Sequence, residues 1–408
     1  MNGSPDFLVQ RNKFLRLLEN AEARRFVQDN VRSDVRELAL RLPSNVHFDA
    51  KVAVQLIDCY QRAFKKLPLW SENLMALDRR SLEQSSSQRV ARYRASVIQG
   101  KRLLDLTGGL GVDDVYLSAS FSEVESIEKN PDLVEMSTYN DGVLQIENIT
   151  RFCDDARNWN SYKIDNSTTV FVDPDRRDES GNRLYSLLDC SPPVLQWLDQ
   201  ILPKCSRLVI KASPMLDLTQ ARREVPYLEQ VHIVADSGEI KEIMLLLRSG
   251  FEGEPDIIAA ELSEDQVRTV SSKDLPSDKD PKPSVRPGSY LFEPAPSIIK
   301  AGLSEKYAAS LNLYKAGKNP AFYFADEVVH GAQGRQWEVL EVLPLQWKQL
   351  RKRLQEQGTS RANVVRKYFS ETTANILKKL KLKEGGDEYL IFMESLDGSK
   401  VCIRAMRL

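Results

Sequence analysis

Cysteine and histidine are scarce in this chain, and each scarcity excludes something. The five cysteines (Cys59, Cys153, Cys190, Cys205 and Cys402) are odd in number, scattered and without a CxxC pair. That spacing excludes a disulfide framework and a zinc knuckle, and reads as reduced thiols. Only three histidines occur, His47, His232 and His330, none near another, which speaks against a histidine-based metal site. No apolar run is long enough to cross a bilayer and no secretory leader opens the chain, so a cytoplasmic protein with no membrane and no metal partner is expected. Large net charge is missing too. The formal balance is −1 over 408 residues, so any nucleic-acid surface has to be local. What remains is an ordinary globular balance, 42% hydrophobic and 28% charged, long enough for two or three domains.

Periodicity divides the chain. Residues 1–98 carry apolar positions at three- and four-residue spacing and predict helices, the last entered through the serine cluster Ser85, Ser86 and Ser87. From 99 to 270 short apolar runs alternate with helical stretches, the signature of a parallel α/β sheet. The final pair, EQVHIVAD and KEIMLLLRS, is joined by a short glycine-containing segment and predicts a hairpin, so the last strand runs antiparallel. Residues 271–288 are rich in Pro, Ser and charge and read as a linker. A small α+β unit follows, with strand, helix, strand, helix and hairpin after about 336.

The polar residues gather where the predicted strands end. LLDLTGGLG ends a strand in Asp105 and enters a turn with Thr107, Gly108, Gly109 and Gly111 before a helix. A glycine turn ahead of a helix N-terminus brings backbone N–H groups close to a ligand. The third glycine of the nicotinamide fingerprint is absent, and Asp113 and Asp114 in the first helical turn are expected to repel a pyrophosphate. A strand-end carboxylate instead suits a cationic ligand, such as the ammonium and sulfonium of S-adenosylmethionine (SAM). Glu128 ends the second strand, where an acid can accept both ribose hydroxyls. Asp154 and Asp155 follow the third strand, and one can accept from an adenine amino group while the other caps a helix. The fourth strand stops in Asp173–Pro174–Asp175–Arg176–Arg177, next to the expected donor pocket. Asp173 and Pro174 there can align an acceptor, and Arg176 and Arg177 can neutralise a phosphate or clamp a planar base. Lys211 ends the fifth strand.

These stretches, DLTGGLG, SIEKN, CDDA, VDPDRR and the closing hairpin, resemble the class I SAM-dependent methyltransferase family. The whole chain is similar to its bacterial group with a THUMP-like C-terminal domain. The resemblance implies an α/β fold: a Rossmann-like sheet with an antiparallel last strand, a helical N-terminal region and a small α+β C-terminal part. It implies a methyltransferase domain over 99–270, a linker with a small ferredoxin-like insert over 271–330 and a THUMP-like basic domain over 331–408. It implies SAM contacts at Asp105, Gly109, Gly111, Glu128 and Asp155, and a target-facing role for Asp173 and Pro174. One departure stands out. Amino-group methyltransferases of nucleic acids carry Asp/Asn-Pro-Pro-aromatic here, whereas Asp175 and Arg176 replace the second proline and the aromatic.

Between 348 and 383 stand eleven Lys or Arg against two acids, Glu356 and Glu371, a local excess of nine positive charges. Lys348, Arg351, Lys352, Arg353, Arg366, Lys367, Lys378 and Lys379 form three clusters, with Trp337, Trp347, Tyr368 and Phe369 interleaved. That pattern is an electrostatic footprint for a phosphate backbone. The expected function is SAM-dependent methylation of RNA, with tRNA and rRNA both open. The alternatives are a methyltransferase for a small molecule or protein, and an RNA-binding protein that keeps the fold without catalysis.

Overall fold

The computed structural model describes residues 12–175, 187, 190–277, 280–283 and 288–408. They divide into two compact units: the residues up to Glu229 with Ile243–Glu254, and Gln230–Glu242 with Pro255–Leu408.

The first unit opens with helices α1 (Lys13–Glu19), α2 (Ala21–Asn30), α3 (Val35–Leu40), α4 (Ala50–Lys66), α5 (Pro68–Glu72), α6 (Arg79–Gln84) and α7 (Gln88–Val97). Side-chain caps start most of them. Asp49 accepts from the amides of Lys51 and Val52 to begin α4, and Ser87 accepts from Val90 N–H to begin α7, as the serine cluster predicts. The spacing Val52, Leu56, Ile57, Tyr60, Ala63 gives α4 one apolar stripe. That stripe packs with Leu15, Leu18 and Trp70, and with Leu110, Val112 and Met136 from the α/β part. A buried amide adds a polar fastening: Asn140 exchanges two hydrogen bonds with the backbone of Ala76, at 2.7 and 2.9 Å.

The sheet of this unit begins with β1 (Gly100–Asp105), β2 (Phe121–Glu128), β3 (Ile149–Cys153), β4 (Thr168–Val172) and β5 (Arg207–Ala212). Helices α8 (Val112–Leu117) and α9 (Pro131–Leu144) follow β1 and β2, and the short helices α10 (Leu198–Ile201) and α11 (Leu218–Glu224) flank β5. β6 (Leu228–Asp236) and β7 (Glu239–Leu247) form the hairpin, with Ser237 and Gly238 both at positive φ in the turn. The turn is thus two residues long. Ile243–Leu247 of β7 pairs antiparallel with β5, giving the order β3-β2-β1-β4-β5-β7. A parallel sheet closed by an antiparallel strand is the class I methyltransferase arrangement that the resemblance implies. Because β2 and β4 lie on opposite sides of β1, the chain reverses direction across the sheet there, and ligands of such sheets sit at that switch point.

In the second unit, β8 (Asp256–Leu262) pairs parallel with β6, and β9 (Val267–Ser271) pairs antiparallel with β8. These two strands have no counterpart in the sequence reading, where DIIAAEL lacks the clean alternation of a one-sided strand. A seven-stranded sheet follows, built from β10 (Tyr290–Pro294), β11 (Tyr314–Lys315), β12 (Tyr323–Ala325), β13 (Gly334–Pro344), β14 (Arg361–Arg366), β15 (Lys383–Glu394) and β16 (Lys400–Arg407). Its order is β11-β12-β10-β13-β16-β15-β14. A bridge between Gly317 and Ser395 brings the end of β15 next to the end of β11, so the sheet curls strongly on itself. α12 (Pro296–Lys300) and α13 (Ser304–Ser310) lie between β10 and β11 in the chain. One cluster holds Trp337, Phe322, Phe324, Ile391 and Ile403. A second holds Leu350 and Leu354 of α14 (Trp347–Glu356), Ile376 and Leu380 of α15 (Thr373–Leu380), and Phe369, Leu390 and Phe392. α14 and α15 are the two helices that the sequence predicts for this segment.

Candidate functional site

The β1–α8 loop is built from hydrogen bonds that leave the sheet in two directions. Leu106 N–H donates to Phe171 O of β4 and Gly108 N–H to Ile127 O of β2, at 3.0 and 2.8 Å. The glycines are needed for different reasons. A Cβ on Gly108 would overlap Ser126 Oγ of β2, so this glycine admits a neighbouring strand rather than a ligand. Gly111 sits at φ 76° as the N-cap of α8, and a side chain there would strike the Arg151 guanidinium. Gly109, at φ 54°, is the least crowded of the three: a Cβ there would meet only Thr107 O, at 3.9 Å.

Asp105 is 1% exposed. Its Oδ1 accepts from the amide and hydroxyl of Thr107, at 2.7 and 3.2 Å. Burial first, and the facing Asp114 carboxylate second, push the Asp105 carboxyl well above the usual carboxylate range. Asp114 Oδ1 accepts no hydrogen bond, and the Asp105 carboxyl faces it. Asp105 is therefore a loop anchor whose charge is suppressed, not an open counter-ion. The Thr107 hydroxyl carries the connection on, accepting from Asp173 N–H at 2.7 Å. The ends of β1 and β4 are thereby locked together.

Charge repulsion by Asp113 and Asp114, the sequence argument against a pyrophosphate, takes a different form in the structure. Both acids are internally paired. Asp114 is fully buried, 2.8 Å from Arg151, and accepts from Ser126 Oγ at 2.7 Å. Arg151 also holds Asp141 at 2.6 Å. Burial lowers the Arg151 pKa, but the two carboxylates overcome it and raise it. Asp113 pairs with Arg94, a wholly buried guanidinium from α7, and lies 3.9 Å from Lys211. Lys211 in turn pairs with Asp173. The result is a chain of alternating charge, Arg94–Asp113–Lys211–Asp173, running from the helical region to the end of β4. Ser86 bonds both Arg94 and Asp113, at 3.2 and 3.4 Å, and ties the α6–α7 connection to the same place.

Glu128 closes the other side. Its carboxylate accepts from Gly109 N–H at 3.0 Å and Asn130 N–H at 2.8 Å. Asp154 N–H bonds Glu128 O at 3.2 Å, so the β2 and β3 ends adjoin. Asp154 accepts from Asn158 and Tyr162, and these bonds lower its pKa. Asp155 caps the turn that follows and holds Arg157 through two bonds, which lower it to about 2. The helix-cap role expected for one of the two acids thus falls to Asp155.

Of the expected acceptor residues, Asp173 is half-buried, Pro174 is buried, and Asp175 is bridged to Ser191 by two backbone bonds. Arg176 and Arg177 lie outside the described residues. The structure therefore brings Asp105, Thr107, Gly109, Glu128, Asp154, Asp173 and Lys211 to adjoining strand ends. Sequence reasoning missed Arg94, Arg151 and Ser126. A lone arginine in an amphipathic helix and one on the edge strand β3 carry no sequence signal; only the position of Asp113 and Asp114 beneath them marks them. A groove of about 860 Å³ lies elsewhere, on α1, α4 and α6, with Arg16, Gln55, Asp58 and Arg80 in its wall. Asn130 and Asp132, just beyond Glu128, also line it.

The basic segment is more neutral than its sequence. Arg353 pairs with Glu341 at 3.0 Å, Lys352 with Glu356 at 3.8 Å, Lys367 with Glu293 at 3.2 Å, and Lys379 with Glu371. Arg366 donates to Phe369 O at 3.2 Å. Among the described residues Lys348, Arg351 and Lys378 have no ion-pair partner. Of the interleaved aromatics, Trp337 and Phe369 are core residues, Trp347 is half-buried, and Tyr368 is exposed.

The family described as THUMP domain-like matches residues 334–407. An S-adenosylmethionine-dependent methyltransferase of Mycobacterium tuberculosis, itself uncharacterized, is 23% identical over 307 residues, 74% of this chain and 80% of the relative. The match is the same in strains CDC 1551 and H37Rv. A crystal structure of a Porphyromonas gingivalis W83 protein, provisionally assigned as a methyltransferase, is 24% identical, covers 94% of this chain and 96% of its own, and superposes with a TM-score of 0.80. The fold is thus shared over nearly the whole chain. The enzyme class and cofactor expected from the sequence accord with these relatives, and the acceptor does not follow from them.

Proposed function

We propose that this chain, a class I methyltransferase fold followed by a THUMP-like domain, is a SAM-dependent methyltransferase of cytoplasmic RNA whose basic C-terminal part binds that RNA. One observation carries the reading: the fixed cluster of Glu128 on the Gly109 amide and Asp173 on Lys211, on either side of Asp105 at the switch point of the sheet.

The donor set fits SAM. Glu128 and Gly109 would hold the ribose, with Asp154 and Asp155 on the adenine side and Gly111 shaping the turn. Asp105 and Thr107 fix the loop beneath the methionine end. Bound SAM supplies a methyl group on a sulfonium, open to in-line attack by a nucleophile. The chain's own task is alignment, which can supply about 7–11 kcal/mol of the barrier. Asp173 gives one carboxylate oxygen, Oδ2, to Lys211, which leaves Oδ1 to accept a hydrogen bond from the acceptor. Arg94 and Asp113 hold Lys211 from behind. The division at residues 98, 270 and 330 belongs to the same proposal, and the THUMP-like match over 334–407 supports its last part.

The internal pairing of Arg353, Lys367 and Lys379 favours a second reading, a small-molecule or protein acceptor with a structural C-terminal part. Transfer of label from methyl-tritiated SAM separates the two. The RNA reading expects label in cellular RNA with wild type and its loss when Lys348, Arg351 and Lys378 are replaced by alanine. Label in protein or small-molecule fractions alone supports the second reading.

A further inference from the structure

Tyr368 follows β14 in the run Arg366–Lys367–Tyr368–Phe369, and both its neighbours are tied down. Lys367 reaches Glu293, which is itself 1% exposed, at 3.2 Å. Phe369 is buried among the apolar faces of α14 and α15, its ring 5.5 Å from that of Phe392. Arg366 closes the loop on Phe369 O. Between these anchors Tyr368 is 63% exposed. It stands at φ 52°, the left-handed region that a bulky aromatic rarely adopts. Among the described residues its ring meets no other ring and its hydroxyl makes no hydrogen bond.

Such a conformation persists only when its surroundings over-determine it, and strained positions gather at ligand-binding sites. No packing or hydrogen bond of the Tyr368 side chain itself accounts for this one. What the strain does is hold an aromatic face outward at a fixed point. The core that anchors Phe369 also carries α14 and α15, on which the unpaired cations Lys348, Arg351 and Lys378 stand. An exposed ring, in a unit whose helices also carry cations able to track a phosphate backbone, is the combination by which single strands are bound without base-pair readout. We propose that Tyr368 is a stacking platform for an unpaired base of single-stranded RNA. The inference rests on the RNA reading and names the form of RNA that the C-terminal part takes. A duplex offers no free base face, so the ring selects single strands.

The test is fluorescence anisotropy of labelled oligouridine and of a blunt RNA duplex, titrated with full-length protein. Tyr368→Ala is expected to weaken oligouridine binding about five- to tenfold, the size of one lost base stack. Tyr368→Phe, which keeps the ring face, stays within about twofold of wild type on the same scale. Neither variant changes the salt dependence, because no charge is removed, and duplex binding is unchanged. Tyr368→Asn lacks the ring but tolerates positive φ, so a loss shared by Ala and Asn reports stacking rather than loop collapse. Wild-type affinity for oligouridine in Tyr368→Ala and Tyr368→Asn overturns the inference and leaves the RNA reading standing. Failure of wild type to bind either RNA overturns the RNA reading and this proposal with it.

Discussion

The strand-end cluster and the C-terminal basic segment use the same residue types in opposite ways. At the strand ends, Arg94, Arg151 and Lys211 are buried, each held by carboxylates, and the chain folds around them. On α14 and α15 the cations lie at the surface, and Lys348, Arg351 and Lys378 have no ion-pair partner among the described residues. A buried ion pair must be complete, because removing one partner strands a charge in low dielectric. A surface cation can be removed with little effect on stability and remains available for another molecule. Charge density in a sequence therefore does not locate function by itself. Burial decides whether a charge builds the site or meets the ligand.

Breaking the buried side should have the largest effect. Arg151→Met leaves Asp114 and Asp141 without their shared cation, and a loss of about 3–5 kcal/mol is expected in urea unfolding. A loss below about 1 kcal/mol, the range of an exposed pair, would erase the distinction drawn here. A smaller effect should come from Asp105. Its folded pKa is raised, so its contribution to stability is fully present below the unfolded-state carboxylate range and is lost as pH rises toward the folded value. Asp105→Asn keeps the acceptor for Thr107 and supplies a permanent donor for Asp114 Oδ1. The variant should gain about 1 kcal/mol over wild type at pH 8, the order of one satisfied buried acceptor, and should flatten the fall in stability above pH 5. Equal stability of wild type at pH 5 and pH 8 would refute the raised Asp105 pKa. Least affected should be the surface. Replacing Lys348, Arg351 and Lys378 with alanine should leave the unfolding midpoint unchanged while lowering the salt slope of single-stranded RNA binding by up to about two. A shifted midpoint would assign those cations to the fold.

Much of the architecture was legible because periodicity records burial. The helices of 12–97, the alternation after 99, the antiparallel hairpin and the strand–helix order after 334 all follow from it. So did the strand-end acids, since a carboxylate that ends an apolar run has few structural reasons to be there. β8 and β9 escaped because DIIAAEL has no period to read. The pairing of Asp113 with Arg94 and of Asp114 with Arg151 escaped for another reason. The partners lie 19 and 37 positions apart, and an adjacent acid pair reads as repulsion until the cations beneath it are seen. In the basic segment the sequence overstated the charge, because Glu341 and Glu293, which neutralise part of it, come from strands outside the run.

The central claim is that the strand ends hold SAM, with Glu128 as the residue that receives the nucleoside. Calorimetric titration of SAM and of its demethylated product into wild type and Glu128→Ala, with NAD as control, tests it most directly. The account predicts binding of both compounds by wild type, none of NAD, and at least a tenfold loss in the variant, about the 1.4 kcal/mol of a lost charge-assisted hydrogen bond. Absence of SAM binding to wild type, or equal affinity in Glu128→Ala, would contradict it.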